Sequence, residues 1–165
     1  IGGASNTAIG KASMGNNTNG NYNVAVGKGS LNDNTDGSNN TTIGYLSANT
    51  GTNDITTGEN NTLIGASTAA SAAAGTNQTV IGYGSSGQAN NSVTLGNSDV
   101  TAVYMAQDAG ATVYAAGMVL GGTSVTSTAA EINIIDGGTS ATSTTIVAAD
   151  RVVLNDDGTM KQVAM

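Results

Sequence analysis

Three pairs of carboxylates stand close enough in this sequence to share a substrate: Asp33 with Asp36, Asp54 with Glu59, and Asp156 with Asp157. Two such groups can protonate a leaving group and activate a nucleophile across a glycosidic bond. Each pair, however, lies in a turn-like stretch, where Asp is favoured because it hydrogen-bonds its own backbone. Turn chemistry is the stronger reading, so no catalytic residue and no enzyme activity are expected. Asn32-Asp33-Asn34-Thr35-Asp36-Gly37 partly imitates a calcium loop, with oxygens at alternating positions and a glycine. The closing bidentate Glu is missing and Ile43 takes its place, so the loop also reads as a turn. The chain has no His and no Cys. That removes the commonest general base, the commonest transition-metal ligand and any disulfide framework. Neither a cofactor nor a metal is expected.

Binding chemistry is better represented. Tyr22, Tyr45 and Tyr83 would stack on sugar rings if exposed, or pack at a subunit seam if buried. Lys11 and Lys28 occupy equivalent places one repeat apart; a solvated edge is their default reading, with a ligand role the sharper one. Asn-x-Ser/Thr sequons occur at Asn16, Asn39, Asn40, Asn60, Asn77 and Asn90. Most are by-products of a repeat, and the recurring asparagines are expected to stack in a hydrogen-bonded ladder rather than to carry glycans.

That repeat is the element that must position everything else. A polar residue, a β-branched residue, a variable residue and a large aliphatic lead into glycine. The phrase runs Asn6-Thr7-Ala8-Ile9-Gly10, Asn23-Val24-Ala25-Val26-Gly27, Asn40-Thr41-Thr42-Ile43-Gly44 and Asn61-Thr62-Leu63-Ile64-Gly65. It continues as Gln78-Thr79-Val80-Ile81-Gly82 and Ser92-Val93-Thr94-Leu95-Gly96. The closing glycines are 17, 17, 21, 17 and 14 residues apart. Self-similarity at such a period signals stacked coils. The aliphatics Ile9, Val26, Ile43, Ile64, Ile81 and Leu95 are expected to form the repeat core, and Gly10, Gly27, Gly44, Gly65, Gly82 and Gly96 its turns. The residue between (Ala8, Ala25, Thr42, Leu63, Val80, Thr94) points the other way and is never charged. Both faces should therefore be covered, one by the coil interior and one by a neighbouring subunit. After each glycine a Ser or Thr three residues on (Ser13, Ser30, Ser47, Thr68, Ser85) suggests a turn and then a second short strand. Six phrases predict a stub roughly 25–30 Å long.

The rest of the chain changes character. Residues 1–98 form the repeat region. In 99–121, Val100–Met105 and Ala111–Ala116 read as two strands of a transition or cap that closes the stack. In 122–165, Thr128-Ala129-Ala130-Glu131 is a capping-box pattern that opens a short helix over about 128–136. Strands follow at Thr145–Ala148, Arg151–Leu154 and Met160–Ala164, with a hairpin turn at Asn155-Asp156-Asp157-Gly158. So short a helix needs partners, and this segment is expected to hold copies of the chain together.

Composition agrees with a thin core. Charged residues are 9% and aromatics 3%, with no Trp and no Phe. Side chains this small fill the space inside a narrow coil but not between thick layers. The absence of Pro leaves long hydrogen-bond ladders possible. A net charge of −7 argues against nucleic-acid binding, and no run is apolar and long enough for membrane insertion. Ile1 falls inside a repeat.

Asn91-Ser92-Val93-Thr94-Leu95-Gly96 and its relatives upstream resemble the head repeat of trimeric autotransporter adhesins. The resemblance implies a left-handed parallel β-roll, three chains side by side. The Gly-x-x-Ser continuation (Gly10 to Ser13, Gly27 to Ser30) is similar too. The 17-residue variant, as in Gly37-Ser38-Asn39-Asn40-Thr41-Thr42-Ile43-Gly44, resembles repeats of bacterial-virus tail fibres. So do Ser127–Gly137, Ala149-Asp150-Arg151-Val152 and Asn155-Asp156-Asp157-Gly158-Thr159-Met160-Lys161-Gln162-Val163. The expected fold class is thus all-β: a left-handed parallel β-roll solenoid in a homotrimer, with a C-terminal trimerising segment of one short helix and β-strands. The expected function is a structural and adhesive segment of a virion tail fibre, extracellular, contacting host surface polysaccharide or protein and other virion tail components. The alternatives are the head of a bacterial trimeric adhesin, a glycan-degrading tailspike and a filament-forming extracellular matrix protein.

Overall fold

The computed structural model describes residues 2–108 and 110–127, and the backbone of 151–156 and 159–164. The chain divides into two units, Ile1–Ala111 and Thr112–Met165. Among the described residues all regular structure is β-strand.

The first unit is a parallel β-solenoid of about five turns. Its strands are β1 (Thr7–Ile9), β2 (Val24–Val26), β3 (Thr41–Ile43), β4 (Thr62–Ile64), β5 (Gln78–Ile81) and β6 (Ser92–Leu95). They lie side by side in sequence order in one six-stranded sheet. Pairing runs Thr7↔Val24, Val24↔Thr41, Thr41↔Thr62, Thr62↔Thr79 and Thr79↔Val93. Each sequence phrase is therefore one rung, in register with the next despite coils of unequal length. Five steps of about 4.8 Å carry the sheet about 24 Å.

The glycine that ends each phrase ends each strand for two reasons. Its φ lies at +126° to +139° at Gly10, Gly27, Gly44, Gly65 and Gly82, a region that residues with a side chain rarely adopt. In addition, a Cβ on Gly27 or Gly44 would run into the carbonyl oxygen of the next coil's glycine. Coils can stack at strand spacing only if this corner is bare. The turn then closes through bonds such as Ser13 N–H to the Gly10 carbonyl (3.2 Å) and Ser30 N–H to that of Gly27 (3.2 Å).

The interior differs from the expectation. Ile9, Ile43, Ile64, Ile81 and Leu95, expected in the repeat core, lie on the outer face of the sheet and are 38–59% exposed; Val26 is half-buried there. The core is made instead by the residue between. Ala25, Thr42, Leu63 and Val80 are fully buried, with Met14, Leu31, Ala48, Ile55 and Ala70 from the corners and loops. The reason is size matching in a narrow lumen. Where the strand residue is small, the corner residue is large (Ala8 with Met14, Ala25 with Leu31). Where the strand residue is large, the corner is small (Leu63 with Ala69 and Ala70). In the 21-residue coil both are small, Thr42 and Ala48, and Ile55 from the extra residues joins the core. Isoleucine at every rung would overfill such a space.

The expected second strand after the corner is mostly absent. Met14, Leu31 and Ala48 have φ of +52°, +52° and +58°, and these left-handed residues break an extended run. Coils still bond there through Met14 N–H to Ser30 O (3.0 Å), Leu31 N–H to Ser47 O (2.9 Å) and Ala48 N–H to Thr68 O (2.8 Å). A lone bridge, Ala69↔Ser86, marks where the strand was expected.

The expected asparagine ladder is present. Asn23, Asn40 and Asn61 are buried at the phrase start. The Oδ1 atoms of Asn6, Asn23, Asn40 and Asn61 accept from the backbone N–H of Asn23 (2.8 Å), Asn40 (2.9 Å), Asn61 (3.1 Å) and Gln78 (3.0 Å) in the following coil. Their Nδ2 groups donate to the carbonyls of Gly20, Gly37, Gly58 and Gly75 at 2.7–2.8 Å. Gln78 ends the series by turning its amide to Ser71 and Asn90. A second, shorter file joins Asn34 Nδ2 to Asn17 Oδ1 (2.7 Å). It stops where the next coil places Ile55, which has no amide, and Asn34 Oδ1 is left buried without a partner.

Beyond β6 the expected cap strands do not form. Val100–Met105 and the described residues of 110–116 have no strand pairing. Their β-branched and aromatic residues suit a sheet, but a strand needs a hydrogen-bonded neighbour, and Val100 instead turns back to donate to Asn97 O (3.2 Å). The second unit contains two antiparallel hairpins. β7 (Met118–Leu120) pairs with β8 (Thr123–Val125). Gly121 and Gly122 join them with φ of +56° and +83°, both positive as a tight two-residue turn demands. β9 (Arg151–Asp156) pairs with β10 (Thr159–Ala164) up to Asp156↔Thr159, so these two expected strands are present. The expected helix at 128–136 and the strand at 145–148 lie outside the described residues.

Candidate functional site

Among the described residues the carboxylates serve as local hydrogen-bond acceptors, and the expected pair Asp156 and Asp157 lies outside the described side chains. Asp33 Oδ1 accepts from Asn16 (3.3 Å) and Asn32 (2.8 Å). Asp36 accepts from Asn19 (2.6 Å) and Thr35 (2.9 Å). These bonds hold the Asp36 carboxyl below the usual range, Asn19 contributing most and Thr35 next, against a small opposing effect of burial. Asp54 closes its own loop by accepting from the N–H groups of Thr50 and Gly51. All three act as turn and inter-coil acceptors. Among the described residues no three His, Cys, Asp or Glu side chains converge as metal ligands. The sequon residue Asn40 is fully buried in the ladder, which keeps its amide from solvent.

The outer face of the sheet is one candidate surface. The aliphatic row Ile9, Val26, Ile43, Ile64, Ile81 and Leu95, exposed except at half-buried Val26, runs beside a row of Thr7, Val24, Thr41, Thr62, Thr79 and Val93. Neither row carries a charge. The glycines expected as turns border this face, Gly96 with φ +87°.

The three tyrosines are exposed, at 64% for Tyr22, 49% for Tyr45 and 74% for Tyr83. They are not one cluster. Tyr22 precedes its strand, at a left-handed φ of +56° that Ser5, Asn39, Asn60, Asn77 and Asn91 share in the other coils. Tyr45 and Tyr83 follow their strands, in a row that reads Lys11, Lys28, Tyr45, Ala66, Tyr83. The backbone bonds Gly29 N–H to Lys11 O (2.9 Å), Leu46 to Lys28 (3.0 Å), Ser67 to Tyr45 (2.8 Å) and Gly84 to Ala66 (2.9 Å) fix that row coil by coil. Lys28 Nζ lies 5.5 Å from the centre of the Tyr45 ring. Sequence reasoning noted both lysines and both tyrosines but not their common row. The shared position after each glycine was the available signal.

Comparison with family models, with curated proteins and with solved structures gives no match to this chain. The class therefore rests on the geometry above: a β-solenoid repeat protein whose surface chemistry lies on an uncharged sheet face and the edge beside it.

Proposed function

We propose that this chain is a structural and adhesive segment of a virion tail fibre or similar appendage. In this reading the solenoid is a left-handed roll, assembled as a homotrimer that spans distance and contacts the host surface. One observation carries it: an exposed sheet face of six rungs, aliphatic along one row and β-branched along the next, without a charge. Monomeric proteins rarely leave a contiguous apolar stripe in water. Lateral packing of copies would cover it, adding roughly 25 cal/mol per Å² of apolar area buried. The resemblance of the glycine phrase and of the C-terminal phrases to viral appendage proteins supports the setting. Threefold copies of weak surface contacts would then gain avidity.

The test is the full chain in solution and on a surface. Sedimentation equilibrium should give the mass of three chains. The immobilised protein should retain envelope polysaccharide or envelope protein of a host bacterium. A monodisperse monomer, or a trimer that retains neither, counts against the corresponding half of the proposal.

A further inference from the structure

The solenoid's charges are sorted, and the sorting selects a ligand. Residues 1–111 contain two cations, Lys11 and Lys28. Both lie in the row that continues into Tyr45, Ala66 and Tyr83, one residue per coil. The six acids of the same stretch lie elsewhere. Asp33, Asp36, Asp54 and Glu59 sit on the segments that return from corner to strand, and Asp99 and Asp108 follow the last strand. The acidic solenoid has thus set its two cations one above the other, in line with two of its exposed aromatic rings.

From this we propose that the row Lys11-Lys28-Tyr45-Ala66-Tyr83 binds a linear anionic polysaccharide laid along the solenoid axis. The inference rests on the adhesive reading above and names the ligand class and the site. Coils advance about 4.8 Å, a step comparable with one pyranose residue of an extended chain. The Tyr45 and Tyr83 rings, two coils apart, offer stacking faces for the apolar C–H side of sugar rings. Ala66 between them is small enough to leave the chain a level floor. Lys11 and Lys28 supply charge-assisted hydrogen bonds to carboxylate or sulfate groups. Lys28 reaches over the Tyr45 ring, so the cationic and aromatic halves of the row are continuous.

The experiment titrates the full chain with oligogalacturonate, its neutral methyl ester, a sulfated galactan and polyglutamate, by calorimetry at low and physiological salt. Binding to either acidic glycan, weaker in salt and absent for the methyl ester and polyglutamate, is expected. Which acidic glycan binds tells carboxylate from sulfate recognition. Lys11→Gln with Lys28→Gln, and separately Tyr45→Ser with Tyr83→Ser, should each weaken it about tenfold or more. Tyr104→Ser, at an exposed tyrosine outside the row, should leave it unchanged. Circular dichroism confirms that each variant keeps its sheet. Glycan binding that survives both double variants overturns this site while leaving the adhesive reading intact. Equal binding of the methyl ester or of polyglutamate overturns the ligand class. No binding to any glycan removes the site, whereas capture of a host envelope protein would still uphold adhesion.

Discussion

An asparagine amide has one acceptor oxygen and two donor hydrogens, which is what a buried position between two coils requires. Asn40 shows the fit. Its Oδ1 takes the Asn61 N–H and its Nδ2 gives to the Gly58 carbonyl, both within the protein. Asn40→Ala would leave both groups buried and unpaired, a loss on the order of 3 kcal/mol. A lowered thermal midpoint, with no matching loss for exposed Thr57→Ala, would verify it. Tyr22 is the opposite case. It holds a left-handed φ where four other coils place Asn, and a residue with a bulky side chain is strained there by about 1–2 kcal/mol. Tyr22→Asn should therefore raise the denaturation midpoint, and an unchanged or lower midpoint would show that the ring makes up for its backbone. At Asp36 the hydrogen bonds from Asn19 and Thr35 depress the carboxyl pKa. Their contribution to stability is present above the ordinary carboxylate range and is lost as pH falls through the depressed value. Removing the larger donor by Asn19→Ala should move the Asp36 titration upward, as followed by carboxyl chemical shifts.

At the scale of the element, the glycine phrase made the six rungs legible in the sequence, and the ladder followed from asparagine recurring at a fixed distance before glycine. Which face of each strand is inside was not legible from hydrophobicity. Both faces of a three-residue rung lack charge, and Ile43 is a more obvious core residue than Thr42. The decisive signal lay in paired sizes across the coil, Ala25 opposite Leu31 and Leu63 opposite Ala69, which matters only once the lumen is known to be thin. The cap strands failed for a different reason. Val100–Met105 has the composition of a strand, but composition says nothing of whether a partner edge is within reach. The hairpin at 118–125 was legible only in Gly121-Gly122 between two β-prone triplets. The corner makes its own prediction. At Gly44 a side chain meets both a φ of +139° and the Gly65 carbonyl, whereas Gly51, φ +87°, faces open space. Gly51→Ala should lose only the strain of a left-handed residue, about 1–2 kcal/mol. Gly44→Ala must also part the coils and should lose clearly more, with a collapse of amide protection in β3 and β4 by hydrogen exchange. Equal losses would mean that the coils give way at the corner without unstacking.

For the molecule as a whole, the solenoid satisfies its interior apart from Asn34 Oδ1 and leaves its outer sheet face uncovered. Within a single chain, Ile43 and Ile64 on successive coils lie outside the core, on the outer face and 39% and 38% open to solvent. Replacing both by lysine should therefore leave the single-chain fold standing, because the new ammonium groups reach water along their flexible stems. In an assembly the same groups would have to be buried at a seam, each desolvated and without a partner, which is prohibitive. The proposed homotrimer thus makes a sharp distinction between folding and association. Ile43→Lys with Ile64→Lys should keep the far-ultraviolet signature of β-structure and sediment as a single chain, while the parent sediments as three. Thr41→Lys on the neighbouring row would show how far the seam extends toward the strand start. If the double variant keeps the parent's mass, the copies meet through some other surface; if it unfolds, the aliphatic row supports the coil itself rather than its neighbours.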